Sequence, residues 1–158
     1  MDLPMTASEM FVHTARFMDA YRAVMQPLYA RSHLPPLAVD ILLYLANNPT
    51  YNTAKDICRC KGLKPGIVSF HVDRLVTEGY LERHPVPGDR RKFGLVCTEK
   101  ATPLIEQGRA LQHSFADALS QGLGPEDLVH FRRCVAVFDH NIDALRASAR
   151  GGESEETT

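Results

Sequence analysis

The chain has 158 residues, 44% hydrophobic and 23% charged, with a net charge of −1. That is the composition of one soluble globular domain, spanning 1–150, with enough apolar mass for a substantial core. No apolar run approaches the roughly 18 residues that cross a bilayer, and Met1-Asp2-Leu3-Pro4 lacks the basic cluster and compact apolar stretch of a signal peptide, so a cytoplasmic, reducing environment is expected, with the four cysteines as free thiols.

The first predicted helix runs from about Thr6 to Arg31. Met10, Thr14, Phe17, Tyr21, Val24 and Leu28 recur at spacings of four and three, and Phe11, Met18 and Met25 add a neighbouring stripe. So wide an apolar face needs two partners. His33-Leu34-Pro35-Pro36 breaks the chain, and Leu37 to Asn47 restarts it as a short buried helix carrying Ile41, Leu42 and Leu45, ending near Pro49.

Residues 51–98 read as a helix-turn-helix followed by an arginine-loaded hairpin. Thr53 and Asp56 form a capping-box-like start, Ala54, Ile57 and Cys58 share a face, and Gly62 ends the helix. Lys64-Pro65-Gly66 opens the next one, with Pro in the first turn and Val68, Val72, Leu75 and Val76 as its buried stripe. Small Cys58, Gly62 and aliphatic Val68 have the spacing that lets two helices cross closely over a short turn. Strands are predicted at Tyr80 to Arg83 and at Phe93 to Thr98, with Leu95 and Cys97 on one face. Pro85-Val86-Pro87-Gly88-Asp89 makes the turn-rich tip, and Arg90, Arg91 and Lys92 stand beside it.

After this wing, Glu99 to Gln121 reads as a helix with Leu104, Leu111, Phe115 and Leu119 inward, and Gly122-Leu123-Gly124-Pro125 makes a corner. The last helix sets Leu128, Phe131, Val135, Phe138, Ile142 and Leu145 in a coiled-coil-like seam, with Glu126 and Asp127 in the first turn. The segments 6–31 and 99–149 are thus candidate dimerisation helices, with an intramolecular bundle as the alternative. The acidic tail 151–158, without apolar residues, is expected to be disordered.

Charge is unevenly spread. Residues 51–100 hold ten Lys/Arg against six Asp/Glu, and the remainder eight against thirteen, so positive charge collects on the winged helix, as a phosphate-binding surface requires. With Val68 at the centre of the buried side of the second helix, Gly66, Phe70, Asp73 and Arg74 take the outer half, with Ser69 and His71 at its edges. Lys64, Ser69 and His71 are candidate phosphate or base-edge contacts. Phe70 is a candidate for thymine methyl groups or for local packing, and Arg74 for DNA or for pairing with a carboxylate.

Cys58 and Cys60, two apart on a helix, point away from one another; Cys58 reads as a small buried turn residue and Cys60 as an outer thiol. Of the seven histidines only His130 has a ligand-like neighbour, Cys134 at i+4, and no second pair completes a metal site. No nucleophile elbow, phosphate loop, metalloprotease helix or dinucleotide fingerprint is present, so neither an enzyme nor a cofactor is expected.

The helix, turn, Val68-Ser69 helix, Asp73-Arg74-Leu75, Gly79, Gly88-Asp89-Arg90-Arg91 and closing Val96-Cys97-Thr98 resemble, over nearly the whole chain, the MarR family of bacterial transcriptional regulators. Two positions depart from the family's pattern: Phe70, where a polar or basic residue is more usual, and Cys97, where leucine is. The resemblance implies a mainly α fold with a small β-wing, a winged helix-turn-helix between N- and C-terminal dimerising helices. It also implies that Asp89 orients the wing tip, that Arg91 contacts DNA, and that an effector pocket lies where the dimer helices meet the winged helix, for which Phe17, Tyr21, His33 and Tyr44 are the candidates, with core packing as their alternative role. The expectation is a homodimeric regulator that binds a pseudo-palindromic double-stranded operator, most simply a repressor tuned by a small molecule. The rivals are a thiol-switch regulator using Cys60 or Cys134 and a winged helix used only for protein–protein contact.

Overall fold

The computed structural model describes residues 6–152, save for the side chains of Arg90 and Arg150; the tail 153–158, most of the expected disordered segment, lies outside the described residues. Six α-helices and a two-stranded antiparallel hairpin follow one another as α1 (Ala7–Ser32), α2 (Pro36–Asn47), α3 (Ala54–Lys61), α4 (Pro65–Thr77), β1 (Leu81–Val86), β2 (Asp89–Cys97), α5 (Thr102–Leu119) and α6 (Pro125–Gly152). The mainly α fold with a β-wing is therefore as expected. The chain divides into two compact units, residues 1–115 and 116–158.

The core of the first unit is built around α2. Its Ala38, Val39, Ile41, Leu42, Leu43 and Leu45 are all buried, more than its sequence stripe predicts, because a helix apolar on every side must be covered on every side. Met25, Leu28 and Tyr29 of α1, Ile57 of α3, Val68, Val72 and Leu75 of α4, and Leu81 and Leu95 of the hairpin complete the cluster. On α1 only the last third is buried; Met10, Phe11, Phe17 and Met18 are exposed. Val76 and Cys58, expected to be buried, are half-buried, since each stands at the edge of its helix's core-facing stripe.

The predicted helix 99–121 is two elements, a 3-10 turn over Glu99–Ala101 and then α5. Its buried positions are Ala101, Ile105 and Gly108, one helical step away from the predicted Leu104–Leu111 stripe, and Leu119 is exposed. Gly108 explains the shift. A Cβ there would lie 2.4 Å from Leu43 Cδ2, so α5 approaches α2 closely through its glycine rather than through a leucine row. Arg109 then reaches across to the C-terminal end of α2, donating from Nε to Asn47 Oδ1 at 2.9 Å and from Nη2 to the Ala46 carbonyl at 2.6 Å. Asn47 also donates to Gln112 Oε1 at 3.0 Å, and Gln112 to the Tyr21 hydroxyl at 2.9 Å.

The wing strands are longer and the tip shorter than expected, with only Pro87 and Gly88 between β1 and β2. Pro85 pairs with Phe93 and Val86 with Asp89, so Arg90, Arg91 and Lys92 are three extra residues of β2 without counterparts in β1. This bulge removes the strict alternation expected of three consecutive strand residues.

Candidate nucleic-acid interface

Local sequence sets both helices of the helix-turn-helix. Thr53 caps α3 through Asp56, its hydroxyl accepting from the Asp56 N–H at 3.2 Å while the Asp56 carboxylate accepts from the Thr53 N–H at 3.1 Å. The Thr53 hydroxyl, donating to the same carboxylate at 2.6 Å, and then the Thr53 N–H hold the Asp56 pKa below the usual carboxylate value. Gly62, at φ 63°, ends α3 in the left-handed conformation, and the Leu63 N–H returns to the Cys58 carbonyl at 3.1 Å. Pro65 starts α4 at a position whose N–H would have no helical partner.

At its far end, α4 is tied to the hairpin. Gly79, at φ 79°, makes a Schellman turn: its N–H reaches the Val76 carbonyl at 3.0 Å and the Tyr80 N–H reaches the Leu75 carbonyl at 2.8 Å. Lys100 donates to the Glu78 carbonyl at 2.6 Å and lies 4.5 Å over the Tyr80 ring. The Leu95 N–H donates to the Asn52 carbonyl at 2.9 Å, so the residue just before the α3 cap also anchors β2.

The predicted recognition residues separate into distinct environments. Lys64, at the N-cap of α4, and Ser69 are exposed. Phe70 is 65% exposed, its ring edge-on to His71 at 5.2 Å. His71 is half-buried with Nδ1 buried and unpartnered, and desolvation, aided by the nearby Arg74 charge, lowers its pKa; a neutral imidazole is a poorer phosphate contact than the sequence expectation requires. Arg74 donates from Nε to Glu78 Oε1 at 2.7 Å, a carboxylate at the C-cap of its own helix rather than on the wing or a neighbouring helix. Asp73, on the outer face, is ion-paired with Arg83 of β1.

In the wing, Asp89 Oδ1 accepts from the Arg91 N–H at 3.0 Å, and Asp89 Oδ2 lies 3.4 Å from Lys92 Nζ. The Arg91 N–H, then Lys92, hold the Asp89 pKa below the usual carboxylate range. The Arg91 and Lys92 side chains are exposed; Arg90 lies between Asp89 and Arg91 in β2, its side chain outside the described residues. Between α3, α4 and the wing runs a cleft of about 590 Å³ lined by Arg59, Ser69, Val72, Arg83, Arg91 and Lys92 among others. Thus Ser69 of α4 and Arg91 and Lys92 of the wing face one concavity.

Sequence reasoning overlooked two contributors. Ile67 is 43% exposed on α4, one residue before the buried Val68 and so about 100° around the helix from it. Arg83 joins α4 to β1 through Asp73. No sequence pattern announces a pair ten residues apart across a turn, although the exposed position of Ile67 is implied by the same helical wheel that buries Val68.

Of the pocket candidates, Phe17 and Tyr21 come together on Phe115, with ring centroids 5.2 and 5.5 Å away and both pairs edge-on. His33 is exposed at the left-handed C-cap of α1, at φ 56°, and Tyr44 is half-buried on α2, its pKa raised first by burial and then by Cys60. Cys60 and Cys134 are exposed, whereas Cys97 points at the Leu42 carbonyl, 3.8 Å away, and burial raises its pKa. Among the described residues no three His, Cys, Asp or Glu side chains gather as a metal site, and no helix is long and apolar enough to cross a membrane.

The MarR family model matches residues 33–92, from the end of α1 through Lys92 of the wing. Solved structures share the fold over most of the chain. The transcriptional regulator PA3341 matches with a TM-score of 0.73 at 21% identity, covering 85% of this chain and 98% of its own. The MepR–DNA complex of S. aureus matches with a TM-score of 0.68 at 16% identity, covering 87% and 96%. Bordetella bronchiseptica BpsR, whose DNA binding is regulated by 6-hydroxynicotinic acid, matches with a TM-score of 0.61 at 18% identity, covering 82% and 98%.

Proposed function

We infer, from the match of residues 33–92 to the MarR family model, a homodimeric, sequence-specific, double-stranded-DNA-binding transcriptional regulator of the MarR type working in the cytoplasm, most simply a ligand-responsive repressor. The observation that carries the reading is the wing: Asp89 orders the backbone at Arg91, and a three-residue bulge offers exposed Arg91 and Lys92 beside the exposed N-terminal half of α4. A helix for the major groove and a cationic hairpin for a flanking groove is the division of labour that a winged helix needs on a duplex. Lys64 and Ser69 extend the polar contacts from α4, and Arg90, read from the sequence alone, stays a candidate contact beside them.

Dimerisation is supported by the exposed apolar residues of α6, Leu128, Phe131, Val135, Phe138, Ile142 and Leu145, a seam too regular and too apolar to be left in water. Two copies would set two recognition helices on half-sites about one helical turn apart. Effector control is supported by BpsR, whose DNA binding answers to an aromatic acid, and by Phe17 and Tyr21 meeting at Phe115 on α1 and α5; with His33 and Tyr44 they are the proposed lining. Such a ligand works only by favouring one spacing of the recognition helices over another, with a coupling of about 1 to 3 kcal/mol.

The test is retention of genomic DNA fragments by the full-length protein, followed by anisotropy titration of the retained sequence across salt concentrations. Binding that weakens steeply with salt and depends on sequence is expected. Failure to retain any duplex would return the protein to the rival of a winged helix used for protein contact alone. Loss of binding on mild oxidation, resisted by Cys60→Ser or Cys134→Ser, would favour the thiol switch instead.

A further inference from the structure

The half of α4 that enters the groove is unusually short of hydrogen-bonding side chains. At the N-terminal end of a recognition helix, where base edges are reached, the exposed residues here are Pro65, Gly66, Ile67, Ser69 and Phe70. Ile67 and Phe70 are three apart and so adjacent on the helix surface, and they are 43% and 65% exposed. The two outer-face residues with the richest hydrogen-bonding capacity are engaged within the protein, Asp73 by Arg83 and Arg74 by Glu78. The apolar pair is nevertheless bordered by positive charge, with Lys64 at the helix N-cap and Lys55, Arg59, Arg91 and Lys92 on the neighbouring cleft. A protein partner for an apolar patch does not call for that cationic surround, whereas the phosphates of a duplex do.

We propose that Ile67 and Phe70 read the 5-methyl groups of pyrimidines in the major groove, so that the operator is selected through methyl contacts more than through hydrogen bonds to base edges. The inference rests on the DNA-binding reading above and names what that surface recognises. The thymine methyl is the one apolar feature of the major-groove edge. The Phe70 ring lies edge-on to His71, with centroids 5.2 Å apart, and leaves most of its surface open to a ligand. Ser69, beside the pair, supplies the polar contact that fixes register.

The experiment uses the full-length protein and a random-sequence duplex pool. Retained duplexes are amplified and sequenced, and the selected sequence is resynthesised with deoxyuridine for each major-groove thymidine in turn, a change that deletes one methyl and leaves the pairing edge intact. Binding is expected to weaken about fourfold for each contacted methyl removed, the value of one buried methyl-sized group. Placing 5-methylcytosine at a contacted cytosine should strengthen it by a similar factor. Phe70→Ala should bind the thymidine and deoxyuridine duplexes nearly equally, while Arg91→Ala should weaken both and preserve their ratio. A selected duplex that wild-type protein binds equally well with and without its methyl groups would overturn the proposal while leaving the DNA-binding reading intact. Retention of no duplex at all would overturn both and assign the apolar pair to a protein partner.

Discussion

Arg91 and Asp89 show how one short interaction directs a cation. The carboxylate accepts the Arg91 backbone N–H at 3.0 Å rather than gripping its guanidinium, so the bulge is ordered while the side chain stays exposed. Arg91→Ala is therefore expected to leave the melting temperature nearly unchanged. Operator affinity should fall by about 1 to 3 kcal/mol, and the slope of log affinity against log salt should shrink by about one if the side chain also neutralises a phosphate. Calorimetry together with anisotropy separates the two effects; a variant that unfolds without a distinct DNA defect would make Arg91 a brace for the hairpin. Lys92 is partly held by Asp89 at 3.4 Å, so Lys92→Ala should cost less, with little dependence on sequence.

His71 gives a pH dependence of definite sign. Burial lowers its folded-state pKa below the ordinary 6.5. As pH falls through 6.5 the unfolded chain therefore takes up the proton first, and stability drops until the pH lies below the folded-state pKa as well. Thermal unfolding of the wild type should lose more stability between about pH 7 and pH 5 than that of His71→Gln, in which this site no longer titrates. Equal pH profiles for the two proteins would show that the imidazole is as well solvated folded as unfolded.

Among the elements, α5 meets α2 through Gly108, whose missing Cβ leaves room only for Leu43. Alanine is ordinarily better than glycine inside a helix by about 1 kcal/mol. At Gly108 the order should reverse, because the new Cβ would meet Leu43, a core residue that is 1% exposed and has no free space to turn into. Overpacking of this kind typically costs about 1 to 3 kcal/mol. Gly108→Ala is thus expected to lower the denaturation midpoint, and in a double-mutant cycle with Leu43→Ala its penalty should largely vanish. An additive cycle would show that α5 can shift away from α2 without loss.

The same pair marks where sequence stops being informative. Thr53 with Asp56, Gly62 and Pro65 announce the helix-turn-helix because each works through neighbours within a few residues, and all behave as their spacing predicts. Gly108 and Leu43 are 65 positions apart, and nothing in the leucine spacing of residues 99–121 reveals that a glycine makes the contact. The wing was legible in position but not in detail. A run of Arg-Arg-Lys carries no alternation, so neither the extension of β2 to Asp89 nor its bulge could be read from it. Arg74 and Glu78 stand at i and i+4, and that pairing was available to inspection.

For the whole molecule, α6 carries the expectation of assembly. Its sequence seam is regular, and its apolar residues are exposed. The protein is expected to sediment as a dimer at micromolar concentration. Phe138→Glu, which would place an unpaired carboxylate where a second copy is expected to cover the seam, should shift it to monomer or unfold it, since such burial costs several kcal/mol. Either result should abolish high-affinity operator binding, because a single winged helix engages only one half-site. A Phe138→Glu protein that still sediments as a dimer and binds operator normally would remove α6 from the interface.

The hairpin has only two strands, so the outer side of β1 is an open edge. Near its tip that edge carries Pro85, which has no N–H to offer, and Glu82, Arg83 and His84 precede it. A neighbouring chain that tried to extend the sheet would lack a donor at Pro85 and would meet charged side chains along the rest. The wing can therefore project its cations into solvent at high protein concentration without seeding strand-to-strand aggregation between molecules.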